Sequence, residues 1–302
     1  MAEREMKRAR ITKGHNYFAF YGHHKCATKW VLGIVHRLCI ENGFRYLNFH
    51  KAGMFNNDLE GYLSNFKAAF FCYTNANIEQ VKNINKTIKG FHIIRDPRDV
   101  IVSAYFSHLN SHPTDGWPEL VEYRKRLRSL SKDEGISFMI DNIDDLHYEG
   151  EHVSVPGFMG NWDYEQPNVL ELKYEDMVKE PDRYFLKIFG FLGILSDVRY
   201  STINYLKHLS KKGLFYMLFP FGIAPSLELK VDRWRLLQLV HERDFKRLSK
   251  GRKQGQENMA HHYRKGTPGD WKNHFRQQHK RAFKKKYGDL LIRLGYEKNN
   301  NW

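Results

Sequence analysis

Tyr17 to Gly22 reads YFAFYG, short, aromatic and uncharged. It leads within six residues into Thr28 to Glu41, where Trp30, Val31, Ile34, Val35 and Leu38 recur on one helical side. A buried strand feeding a tight turn and an amphipathic helix calls for helices layered on a sheet. Four further runs have strand character: FRYLNF (Phe44 to Phe49), AAFFCYT (Ala68 to Thr74), GFHIIR (Gly90 to Arg95) and NVLELKY (Asn168 to Tyr174). Each is separated from the next by enough chain for a helix or crossover, which predicts a central parallel sheet flanked by helices. After the fourth run, Asp96 can cap a helix, Pro97 suits its first position and Asp99 adds charge to its first turn, so a helix is predicted through about His108.

With 302 residues, 41% of them hydrophobic, the chain supports one large α/β core and is short for two. No repeat or linker interrupts it, and the expected boundaries are a tail over 1–15, one domain over 16–296 and a tail over 297–302. The longest apolar run, Gly213 to Pro225, is thirteen residues with Pro220 inside it, against the ~20 of a membrane span. The first ten residues carry both signs of charge and no apolar stretch, so a cytoplasmic location is expected. Cys26, Cys39 and Cys72 make neither an even disulfide framework nor a C-x-x-C motif and are expected as reduced thiols, two of them in the core. A formal charge of +15 calls for an anionic partner without distinguishing nucleic acid, acidic membrane or nucleotide.

The turn between the first strand and helix is Gly22-His23-His24-Lys25-Cys26-Ala27-Thr28-Lys29-Trp30. Small residues there let backbone N–H groups approach a phosphate, the helix N-terminus favours its charge, and Lys25 adds a full positive one. It is not a Walker A loop, because Lys25 precedes the small residues. It resembles the 5′-phosphosulfate loop, Lys-Ser-Gly-Thr-Thr-Trp, of sulfotransferases that use 3′-phosphoadenosine 5′-phosphosulfate (PAPS). Lys25, Thr28 and Trp30 match, and Cys26, Ala27 and Lys29 are substitutions. Arg95-Asp96-Pro97-Arg98-Asp99-Val100-Ile101-Val102-Ser103 is similar to that family's 3′-phosphate motif, an Arg followed eight residues later by a Ser. Arg264-Lys265-Gly266 resembles its late Arg-Lys-Gly loop, and Leu172-Lys173-Tyr174-Glu175-Asp176-Met177 its segment approaching adenine.

The resemblance spans about Tyr17 to Phe275 and implies a single P-loop-NTPase-like sulfotransferase domain. It assigns Lys25, Cys26, Ala27, Thr28 and Lys29 to the 5′ end of the nucleotide, and Arg95, Ser103, Arg264, Lys265 and Gly266 to the 3′-phosphate. Trp30 and Tyr174 fall near adenine, with Lys25 also catalytic. The implied reaction is in-line transfer of the sulfuryl group from PAPS, leaving adenosine 3′,5′-bisphosphate. Its acceptor is a hydroxyl or amine of a small molecule, with glycans and lipids as the alternatives inside the family. No metal is expected, since neighbouring residues such as His23-His24 and His261-His262 rarely aim two rings at one ion and the chemistry requires none.

The match fails at the proton acceptor. Where cytosolic members carry Lys-Thr-His, this chain reads Phe71-Cys72-Tyr73-Thr74-Asn75. His50, ending a strand at a distance where other branches place a base, is the first candidate; His23, His24, Tyr73 and Asn75 are rivals. The family's dimer signature, a Thr-Val pair, is missing from Lys272 to Lys280, which makes a family-type dimer doubtful. Asp133 to Glu151 holds seven acidic residues and no Lys or Arg, and points to a cationic natural product as acceptor if that stretch borders the cleft. Leu214 to Phe221 offers an aromatic roof for an acceptor pocket. Two other classes fit less well: a nucleotide kinase requires a Gly-Lys-Ser/Thr loop and a magnesium carboxylate, and a nucleic-acid-binding module requires a motif beyond charge.

Overall fold

A computed structural model describes residues 16–197 and 228–302. Its centre is a five-stranded sheet of β1 (Asn16–Gly22), β2 (Tyr46–Phe49), β3 (Ala68–Tyr73), β4 (Lys89–Ile94) and β5 (Val169–Lys173), in the order β2-β3-β1-β4-β5. Every pairing is parallel; Phe20 of β1 sits opposite Cys72 on one side and Phe91 on the other. The five strands expected from the sequence are these five, with ends differing by one or two residues. Phe44 and Arg45 precede β2, and Thr74 and Tyr174 fall just beyond β3 and β5.

Alternation along β1 fills both faces. Phe18 and Phe20 join Phe70, Cys72, Phe91 and Ile93 beneath α1 (Thr28–Glu41). Tyr17, Ala19 and Tyr21 join Ala69, Phe71 and Trp162 on the other face. Helix α1 contributes Val31, Ile34, Val35 and Leu38, the predicted stripe apart from half-buried Trp30. It packs with α5 (Pro181–Leu192) and α6 (Arg233–Glu242) through Phe185, Ile188, Leu236 and Leu239. A second core joins α2 (Pro97–Phe106), α3 (Pro118–Arg128), α4 (Lys132–Asn142) and α7 (Gln277–Arg293), with Ile101, Leu120, Met139 and Phe283 fully buried.

Asp96 caps α2 by accepting the Arg98 N–H at 2.9 Å, and Pro97 takes the first position, as expected. The α-helix ends at Phe106 and continues as a π-helical turn, Ser107–Ser111. The last residues are packed: Arg98 pairs with Glu297 at 2.5 Å and contacts both the Trp271 ring at 3.9 Å and the Trp302 ring at 4.4 Å. On the other side of the sheet, buried Glu41 receives Arg235 at 2.7 Å and Arg37 at 2.6 Å. All three cysteines are free and buried, one more than expected. Among the described residues no helix is long and apolar enough to cross a membrane.

The sheet order fixes where a ligand can enter. From β1 the chain crosses to β2 and β3 on one side, and from β4 it goes on to β5 on the other, so the loops after β1 and β4 diverge and leave a crevice at the strand ends.

Candidate active site

That crevice is a cleft of about 500 Å³. The loop after β1 lines it with His24, Lys25, Ala27, Thr28, Lys29 and Trp30. Lys25 and Ala27 adopt left-handed backbone, φ 69° and 63°, a conformation that costs a residue with a Cβ ~1–2 kcal/mol. The loop is held in this shape from inside. The His23 carbonyl accepts the Cys26 N–H and the Thr28 hydroxyl, both at 3.1 Å, while the Cys26 side chain is buried. Of the residues assigned to the 5′ end, Cys26 alone does not line the cleft; it anchors the loop. Beneath it, His23 Nε2 meets His92 Nε2 at 2.8 Å, and His92 Nδ1 meets Glu171 at 2.6 Å, where Trp162 also donates at 2.8 Å. This buried chain ties the loop to β4 and β5.

Burial, with Arg95, Lys29 and Arg264 nearby, brings Lys25 down to about 7. Arg95, leaving the end of β4, donates to the Lys25 carbonyl at 3.3 Å and covers the Tyr174 ring at 4.8 Å. Its Nε is buried without a hydrogen-bond partner among the described residues, a donor that an anion in the cleft can satisfy. Ser103, two turns along α2, faces the same cleft, as do Arg264, Lys265 and Gly266.

The late loop is organised by two carboxylates. Asp99 of α2 accepts the Gly269 and Trp271 N–H groups at 2.6 and 2.8 Å. Asp270 accepts from Lys265 at 2.5 Å, Asn273 at 2.8 Å, His274 at 3.1 Å and also Arg264. Burial alone would raise the Asp270 carboxyl, but hydrogen bonds from His274, Lys265, Asn273 and Arg264 outweigh it and hold the group far below its usual range. Gly266 has φ +73°, and a Cβ there would overlap the Phe245 ring, so both backbone and space call for glycine. Glu257, Asp270 and His274 are close enough to share an ion, but Arg264 and Lys265 already neutralise the two carboxylates.

The opposite end of the cleft is lined by Asn48, His50, Thr74, Asn75, His112, Trp117, Leu146, Tyr148 and Val153. His50 faces it, its ring edge-on to Tyr148 at 4.9 Å and its carbonyl accepting the Asn75 amide at 2.8 Å. Burial lowers its pKa, Glu149 and Glu151 oppose this, and Lys51 adds to it. Tyr73 is buried in the core, away from this end, and His23 lies under the loop, so neither rival borders the cleft. His24 does border it, with Nε2 at 2.9 Å from His108 Nε2.

None of the seven acidic residues of Asp133 to Glu151 lines the cleft. Glu134 closes a capping box with Ser131, Asp144 accepts from Ser154, Gly157 and Tyr287, and Glu151 accepts the Ala52 and Gly53 N–H groups. These carboxylates serve the fold. The aromatic segment Leu214 to Phe221 lies outside the described residues.

Two groups escaped the sequence reading. Asp270 follows the Arg264-Lys265-Gly266 loop and carried no role in the sequence. His108 on the π-helical turn and His112 just after it, four residues apart, carry an H-x₃-H spacing that was the available signal.

A parallel sheet with a helix N-terminus, a half-buried lysine and four further cations (Lys29, Arg95, Arg264 and Lys265) lining the cleft at its strand ends defines an α/β protein whose cleft suits an anionic ligand. The family model for the sulfotransferase domain matches residues 24–214, and the chain belongs to that family. It is 29% identical to mouse sulfotransferase 2A6 over 204 residues, which cover 68% of this chain and 56% of the mouse protein. To human sulfotransferase 2A1 it is 26% identical over 212 residues, 69% of this chain and 58% of the human one. The matches thus span little more than half the length of these relatives. Among solved structures, mouse sulfotransferase SULT7A1 complexed with PAP superposes with a TM-score of 0.54 at 15% identity, covering 94% of this chain and 87% of that one. Retinol dehydratase in a complex with retinol and PAP gives 0.51 at 16%, covering 94% and 83%. These likenesses establish the fold.

Proposed function

We propose that this chain transfers the sulfuryl group of PAPS to a hydroxyl or amine of a small molecule. The observation that carries the reading is the convergence of Lys25, Thr28, Lys29, Arg95, Ser103, Arg264, Lys265 and Gly266 on one cleft, together with Trp30 and Tyr174. PAPS, when bound, supplies an activated sulfuryl group on its 5′-phosphate. Lys25, with Thr28 and Lys29, meets that end and steadies the charge left on the phosphate oxygen. Arg95, Ser103, Arg264 and Lys265 meet the 3′-phosphate, Gly266 letting the backbone close in, and Trp30 and Tyr174 flank adenine. The acceptor's proton goes to an imidazole at the far end, His50 being the one the sequence puts forward.

The acceptor is read as small because the far end is part of the same bounded cleft. A cationic natural product loses its motive, since none of the acidic stretch lines the cleft and the cleft centre is cationic. Free buried cysteines support a reducing compartment, the cytoplasm. The reaction is proposed to run without a metal. The test is sulfuryl transfer from labelled PAPS to a panel of alcohols, phenols, sterols and amines, with and without a chelator. Alongside it, Arg95→Ala and Arg264→Ala should weaken adenosine 3′,5′-bisphosphate more than adenosine 5′-phosphate; equal losses for both ligands refute the 3′-phosphate assignment.

A further inference from the structure

The far end of the cleft holds two imidazoles whose surroundings differ in kind. His50 ends β2 among Lys51, Glu149 and Glu151, and its nearest ring is Tyr148. His112 follows the π-helical turn, and the charges it feels are those of Lys25, Lys29 and Arg124. Its ring lies 5.4 Å from His24, the neighbour of Lys25, and 4.9 Å edge-on from Trp117. Electrostatically, His112 belongs to the loop that holds the reacting group, and His50 does not.

His112 is also fixed in one tautomer. Its Nδ1 lies 2.9 Å from the Pro113 carbonyl, and a carbonyl only accepts, so Nδ1 carries the hydrogen and Nε2 the lone pair. The backbone is pinned as well: Arg124 donates to the His112 and His108 carbonyls, both at 2.6 Å. Burial brings His112 down to about 4, the Pro113 carbonyl opposing and Lys25, Lys29 and Arg124 adding to the fall, which leaves it a neutral imidazole. Anionic groups bound beside Lys25 push the imidazole back toward its ordinary range.

We propose that Nε2 of His112 is the proton acceptor of the reaction, a role that rests on sulfuryl transfer being the activity. As the acceptor oxygen bonds to sulfur, the bond from sulfur to the 5′-phosphate oxygen breaks and its electron pair stays on the phosphate beside Lys25. The hydroxyl proton passes to Nε2 and leaves to water once the product departs. His50, on the other flank, orients the acceptor.

The test compares His112→Ala and His50→Ala on an aliphatic alcohol and on a phenol acidic enough to be ionised at the assay pH. A base matters only while there is a proton to take. His112→Ala should therefore lose ~10²-fold or more with the alcohol and far less with the phenolate, with adenosine 3′,5′-bisphosphate binding retained. Equal losses on both acceptors, or this signature in His50→Ala instead, overturn the assignment. A second measurement needs no acceptor: nitrogen NMR of ¹⁵N-histidine protein with adenosine 3′,5′-bisphosphate bound, assigned with His112→Gln. A protonated Nδ1 and a bare or titrating Nε2 support the proposal, and an Nε2–H tautomer refutes it. If no acceptor in the panel is sulfated, the proposed activity fails, while the NMR result still decides the state of His112.

Discussion

Lys25 is a half-buried ammonium in a cationic pocket, and that fixes how its charge responds to pH. Burial and the nearby Arg95, Lys29 and Arg264 bring its pKa down to about 7. A polyanion favours the ammonium, so the bound-state pKa is higher. Below about pH 7 the lysine is already charged and affinity for adenosine 3′,5′-bisphosphate changes little on its account. Above it, binding must take up a proton, and affinity falls as pH rises until the bound-state pKa is reached. Titration calorimetry at pH 8 in two buffers of different ionisation enthalpy should reveal uptake approaching one proton, and Lys25→Ala should abolish it. The same substitution should cost ~10²-fold or more in turnover, because the charge stabilises the leaving oxygen only as the bond breaks. A folded variant with near-normal turnover removes Lys25 from the chemistry.

At the scale of elements, the Arg264 to His274 segment is held by acids rather than by its own glycines. Asp270→Ala strips Arg264, Lys265, Asn273 and His274 of a shared acceptor. It is expected to lower stability by ~1–3 kcal/mol and to weaken bisphosphate binding more than adenosine 5′-phosphate binding. Urea unfolding and calorimetry check this, and an unchanged midpoint counts against it. This organisation was only partly legible in the sequence. Helix α1 and the five strands were readable because each carries its period locally, and the phosphate-facing cations because their motifs are contiguous. The acids were not, since Asp99 reaches N–H groups 170 and 172 positions away. His112 was passed over for a related reason: its meaning depends on the turn beyond α2, which local capping signals do not foretell. The acidic stretch misled because charge along the chain says nothing of which side each carboxylate faces.

At the scale of the molecule, two long-range ties join the layers. Glu41 is buried and receives Arg37 and Arg235, the latter from α6. Arg235→Leu removes the partner that α6 supplies to that carboxylate and is expected to cost up to ~3–5 kcal/mol by chemical denaturation; a loss under ~1 kcal/mol means that the other contacts of Glu41 compensate. The +15 charge acts over the whole surface, so capture of a polyanionic nucleotide should slow as salt rises. The other tie, Arg98 against Trp271 and Trp302, gives the molecule an optical handle of its own. Indole emission is sensitive to a neighbouring charge, and Trp271 follows directly on the loop that carries Arg264 and Lys265. Occupation of the cleft by a bisphosphate can therefore be read as a change in intrinsic fluorescence, with no label attached and no acceptor yet known.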